Sequence, residues 1–149
     1  MLNPGDLEFE PWTSFRVGRV DFYNRIDNRL EFEVGVAKNL QWAWYIKFSS
    51  ITADVGPERL SQFGFDGVSW EWKYKLLDPV ANSFGLALYF EPGISGDEAE
   101  FEAKIIVDKQ IGKLTAALNL IAEHELGFGT PNELEQETKL AASLGVSYA

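Results

Sequence analysis

Ionisable residues recur at every second position in this chain: Glu31 and Glu33, Glu71 with Lys73 and Lys75, Glu102 with Lys104, and Lys47 inside its most aromatic segment. In an extended strand that spacing puts each set on one face. Acids and amines ranged along one face can guide ions along a wet passage, or pair with one another in a dry interior. A different arrangement, Glu123-His124-Glu125, sets the single histidine between two acids. Proton transfer there would need a nucleophile, and no nucleophile motif accompanies it. One histidine without any cysteine is no convincing metal-ligand set. The acids Asp97, Glu98, Glu133, Glu135 and Glu137 read as solvated loop charge, and no glycine-rich phosphate loop occurs. No catalytic residue, metal or cofactor is therefore expected, and the chain does not read as an enzyme.

The elements that carry these charges are strands. In Asn39–Ser50, Leu40, Trp42, Trp44, Ile46 and Phe48 alternate with Gln41, Ala43, Tyr45, Lys47 and Ser49, a period of two with one oily face and one small or polar face. Val68–Leu76 sets Val68, Trp70, Trp72, Tyr74 and Leu76 against Ser69, Glu71, Lys73 and Lys75. The same alternation runs through Leu7–Val17, Arg29–Val36, Phe84–Phe90, Phe101–Val107, Leu114–Ile121 and Leu140–Tyr148. Between them, Asp21–Asn28, Gly56–Gly67, Pro92–Asp97 and Gly127–Glu137 read as longer polar loops. Ala37–Asn39, Asp78–Asn82 and Asp108–Gly112 read as compact turns. Thr130–Gln136 opens like a capped helix, but the alternation through Gly145–Tyr148 favours a strand.

Composition narrows the class. At 149 residues the chain fits one domain, residues 1–149, large enough to close a barrel. Its net charge of −10 argues against nucleic acid, and its lack of cysteine excludes disulfides and thiolate metal sites. No apolar run has the length of a spanning helix, and the N-terminus carries no basic-then-apolar leader.

Eight strands whose connections alternate short and long match an antiparallel up-and-down barrel with tight turns at one end and extended loops at the other, as in the outer membrane. On this reading the fold is all-β, a transmembrane β-barrel. Trp42, Trp44, Trp70, Trp72, Tyr74 and Leu118 face lipid, and the aromatics divide into two interfacial girdles. Glu31, Glu33, Lys47, Glu71, Lys73, Lys75, Glu102 and Lys104 line the lumen. Gly35, Ala43, Gly85, Ala87, Ala117 and Gly145 share that second face, where small residues relieve crowding on a wall that curves inward. By parity nine acids and six bases point inward, with Glu71 beside Lys73 and Lys75, and Glu102 beside Lys104, as expected cross-strand partners.

Phe22-Tyr-Asn-Arg25, the strand-turn-strand of Leu30–Trp44, Phe65–Pro79 with its Trp-Glu-Trp-Lys-Tyr-Lys core, and Glu100–Lys104 through Asp108-Lys109 resemble bacterial outer-membrane β-barrel proteins, and within them a porin-like family. The resemblance spans nearly the whole chain but rests on strand-and-turn patterns. It implies a Gram-negative outer membrane, lipid as the partner, and passage of ions or small solutes. Two departures stand out: such families often have more than eight strands, and their last strand usually ends on an aromatic, whereas Ala149 follows Tyr148 here. The expected function is a passive pore or structural barrel, complete or as part of a larger one. The rival is a soluble lipocalin-like carrier of a small hydrophobic ligand, with Trp42, Trp44, Trp70 and Trp72 lining its interior.

Overall fold

A computed structural model describes residues 1–18, 22–130 and 133–148. The alternating segments form eight strands: β1 (Leu7–Val17), β2 (Tyr23–Ala37), β3 (Leu40–Val55), β4 (Glu58–Leu77), β5 (Gly85–Ser95), β6 (Glu98–Ile111), β7 (Leu114–Thr130) and β8 (Glu133–Tyr148). They make one antiparallel sheet in chain order, each strand hydrogen-bonded to the next. No helix occurs among the described residues, so the helical alternative for the segment after Thr130 gives way to β8.

The sheet is open. β1 pairs only with β2, and β8 only with β7, so each terminal strand keeps an unpaired edge. This corrects the expectation of a barrel closed within these eight strands. Alternation and tight turns fix local hairpins, but closure needs the first and last strands to meet, which no local pattern encodes.

The strands also run further than the alternation suggested. The stretches read as loops at Gly56–Gly67 and Pro92–Asp97 are hairpin arms turning at residues 56–57 and 96–97. The stretch Asp21–Asn28 is mostly the start of β2, though Asp21 lies outside the described residues. Likewise the expected loop Gly127–Glu137 belongs to β7 and β8 apart from residues 131–132, which also lie outside them. Among connections wholly within the described residues the longest is 78–84, at the end expected to be tight. The two ends therefore do not differ by loop length as anticipated.

A bulge interrupts the alternation of β4. Lys47 pairs with Gly67 but Phe48 pairs with Phe65, so one extra residue enters β4 there. Such a bulge shifts parity by one, and Phe63 and Phe65 join the apolar side although Trp70 and Trp72 carry even numbers. Gly67 makes the bend with φ 111°, and a Cβ on it would strike the backbone of Ile94. The aromatics accordingly form a continuous patch instead of two girdles. Phe9, Phe32, Trp44 and Trp70 occupy one row, Trp42, Trp72 and Phe90 the next, and Phe48 packs on Phe63 at 5.9 Å further along.

The decisive feature is which face is shielded. Ala43 (0% exposed), Tyr45, Gln41, Ser69 and Glu71 (2%) are buried, whereas Trp44 (37%), Trp72 (46%) and Leu118 (38%) are exposed. With a single sheet covered, among the described residues, only by the N-terminal segment near the β2–β3 turn, such shielding arises when the sheet curls towards its polar side. That side is the concave face.

The N-terminal residues cap this face near the β2–β3 turn. Gly5 N–H donates to Gly35 O at 2.7 Å, Gly35 N–H to Asp6 O at 3.0 Å, and Leu2 N–H to the Gln41 side chain at 3.0 Å. A Cβ on Gly35 would overlap the Asn3 backbone. Gly35→Ala is expected to lever this segment off and cost about 1–3 kcal/mol, read from urea unfolding in detergent micelles. Gly145→Ala should cost much less, because a Cβ there meets nothing within 4 Å, which also removes the crowding reason for that glycine.

Candidate functional site

All eight residues expected to line the lumen lie on the concave face, where Glu31 and Glu71 are buried and Glu33, Lys47, Lys73, Lys75, Glu102 and Lys104 are half-buried. Of the expected lipid-facing residues, Trp44, Trp72, Tyr74 and Leu118 are exposed on the opposite face, and Trp42 and Trp70 share it half-buried. Trp42 and Trp72 stack with their centroids 6.0 Å apart, as do Phe32 and Trp44.

Tyr45, on β3, stands at the centre of the concave face. Its hydroxyl lies 2.9 Å from Glu31 and within hydrogen-bond distance of Glu71, so one donor is shared between two carboxylates. Lys73 Nζ lies 2.8 Å from Glu71, Arg29 Nη2 lies 3.4 Å from Glu31, and the Gln41 amide donates to Glu33 at 2.7 Å. A second cluster forms around Glu91, which accepts from Ser69 Oγ at 2.6 Å and from the Tyr89 hydroxyl, with Lys47 Nζ 3.3 Å away. Lys104 meets Glu102 at 2.6 Å and sits 4.3 Å above the Tyr89 ring. Acids and amines in low-dielectric surroundings need such partners, since an unpaired one costs several kcal/mol.

The pairings differ from expectation in two ways. Glu71–Lys73 and Glu102–Lys104 form along one strand, two residues apart, while the links between strands run through Tyr45, Gln41, Ser69 and Lys47. Lys75 does not reach Glu71; it bonds Asp78 at 2.7 Å in the turn. Asp78 also accepts from Val80 N–H at 3.0 Å. The Lys75 bond, then the Val80 amide, holds the Asp78 carboxyl below its ordinary value of 3.8. A depressed carboxylate supports the fold above that ordinary value and loses its contribution as pH falls through the lowered one. Asp78→Asn should therefore speed exchange of the Val80 amide several-fold at neutral pH, and the gap between variant and wild type should close in acid.

His124 does not converge with its flanking acids. Alternation sends it to the apolar side, where Nδ1 lies 2.9 Å from Thr138 Oγ1, while Glu125 turns to the concave side and meets Lys139 at 2.8 Å. The carboxylates of Glu31, Glu33 and Glu71 offer oxygens within 4.8 Å of one another, close enough to share a divalent cation. Lys73, Arg29 and Tyr45 already supply positive charge and a donor there, so the group reads as a hydrogen-bonded network.

Sequence reading passed over Tyr45, Tyr89, Arg25 and Arg29 as site residues. Parity alone could have found Tyr45 and Arg29, which share the face of Lys47 and Glu31. Arg25 lies in Asp21–Asn28, whose polar composition suggests a loop although residues 23–28 belong to β2. The arrangement defines a single sheet with a curved, ion-paired polar face and an exposed apolar back. The chain belongs to a protein family of unknown function, DUF6662, whose profile matches residues 1–149. Comparison with curated proteins and with solved structures finds no match.

Proposed function

We propose that this chain forms the wall of an integral outer-membrane β-barrel of a Gram-negative bacterium, acting as a passive pore or structural barrel whose lumen is the concave face. The observation that carries this reading is the inverted burial: Glu71 is 2% exposed while Trp72, the next residue, is 46% exposed. In water an apolar back of this extent would be an unusually large exposed patch; in a bilayer it is the surface the solvent demands. Strands of 11 to 20 residues meet or exceed the roughly 9–11 needed to cross the hydrocarbon. The soluble-carrier alternative loses support because Trp42, Trp44, Trp70 and Trp72 sit on the back of the sheet instead of facing one another across an interior.

The open edges set a condition on the proposal. Unpaired backbone groups on β1 and β8 would each cost several kcal/mol in lipid, so the barrel must be completed by further strands or by a second copy. A completed barrel of more than eight strands has room for water, which suits the density of charge on the concave face.

The proposal is tested in planar bilayers and by its demand for detergent. Purified protein should stay monodisperse only with detergent. Where it conducts, the acidic balance of the lumen should give a mild cation preference in reversal potential. Preferential passage of anions would reject the selectivity, and monodisperse behaviour in plain buffer would reject the membrane reading.

A further inference from the structure

Cations are not spread evenly over the concave face. Arg16, Arg25, Arg29 and Lys47 all border one cavity of about 430 Å³, beside Trp12. The register sets Arg16 opposite Arg25 and Arg29 opposite Lys47. Like charges directly opposite on a sheet are destabilising, so the cluster calls for anions.

The chain's own acids answer only in part. Among the described residues, Asp27 is the acid that serves both Arg16, at 3.1 Å, and Arg25, at 2.6 Å, and the Tyr23 side chain also bonds Arg25. Glu31 reaches Arg29 only at 3.4 Å and Glu91 reaches Lys47 only at 3.3 Å, and each of these acids also contacts a tyrosine hydroxyl. Arg29 Nε is buried and has no hydrogen-bond partner among the described residues. The Arg29 guanidinium nevertheless has a defined place, 5.5 Å from the Trp12 ring and 5.0 Å from the Tyr45 ring. Trp12 is itself oriented by an N–H bond to Glu10 at 3.1 Å, yet remains 52% exposed.

We propose that this cavity binds a small aromatic carboxylate, its two oxygens taken by Arg29 and Lys47 and its ring laid against Trp12. A guanidinium fork matches the two oxygens of a carboxylate, and an indole beside it favours a flat partner. Asp27 and Asp66, which also line the cavity, disfavour a doubly charged anion such as phosphate. The proposal rests on the barrel reading and names a ligand for one local cationic cavity, formed by β1–β4, on a concave face whose overall charge balance stays acidic.

Benzoate is the probe, titrated by calorimetry into protein folded in detergent micelles. Saturable binding is expected, weakened about tenfold in Arg29→Gln, the equivalent of one charge-assisted hydrogen bond. Lys113→Gln, in the β6–β7 turn, should leave binding unchanged. Trp12→Leu, on an exposed edge strand where misfolding is not expected, should weaken benzoate but not acetate. Failure of folded protein to bind benzoate would overturn the proposal, as would inorganic phosphate binding equally well with Trp12→Leu having no effect. Conductance is recorded on the same preparation: binding without conductance keeps this site and removes the pore, and conductance without binding does the reverse.

Discussion

Trp72→Arg should make folding into phospholipid vesicles less favourable, by up to about 2–4 kcal/mol, the cost of a lipid-facing arginine, which is greatest at the bilayer midplane. The side chain is 46% exposed on the apolar back, its ring 6.0 Å from that of Trp42 and tilted 33° against it. It therefore supports no closed core whose loss would mimic the effect. In a water-soluble protein a charge at such a position would normally change stability by no more than about 0.5 kcal/mol, and would improve solubility. Leu118→Arg on β7 repeats the test at a residue 38% exposed on the same face. Reversible urea titrations in vesicles give the numbers. Two small effects, with the variants soluble in buffer, would end the membrane reading.

Lys73→Met is the second large effect and probes the other face. Lys73 Nζ lies 2.8 Å from a Glu71 side chain that is only 3% exposed. Its removal leaves the carboxylates of Glu31, Glu33 and Glu71 within 4.8 Å of one another with much of their counter-charge gone. Breaking a buried pair by deleting one partner typically costs about 3–5 kcal/mol, because the surviving charge stays desolvated. Adding Glu71→Gln should recover most of that loss, since the amide oxygen can still accept from Tyr45. The double-variant cycle isolates the pair from the packing. A single variant as stable as wild type would mean that water reaches Glu71, and that the concave face is wetter at its centre than the burial indicates.

Much of the fold was legible because period two is a property of one strand at a time. Leu40 to Phe48 against Gln41 to Ser49, and Val68 to Leu76 against Ser69 to Lys75, needed no neighbour to declare two faces, and the eight strands and their order follow from such stretches joined by short turns. The eight residues expected on the polar face were found there for the same reason. Legibility failed where neighbours decide. The bulge at Asp66–Gly67 breaks the alternation, so a hairpin arm looked like a loop. Lys75 turned to Asp78 instead of Glu71 because the turn brings a carboxylate nearer.

The sequence by itself determined an all-β chain with one apolar and one ionic side, since side-chain direction alternates whatever the surroundings. The tertiary structure alone decided that the ionic side is the shielded one, that β1 and β8 stay apart, and that Arg16, Arg25, Arg29 and Lys47 gather around Trp12. Those outcomes depend on sheet curvature and on register between strands, which are set by how neighbouring strands pack and not by the order of residues within any one of them.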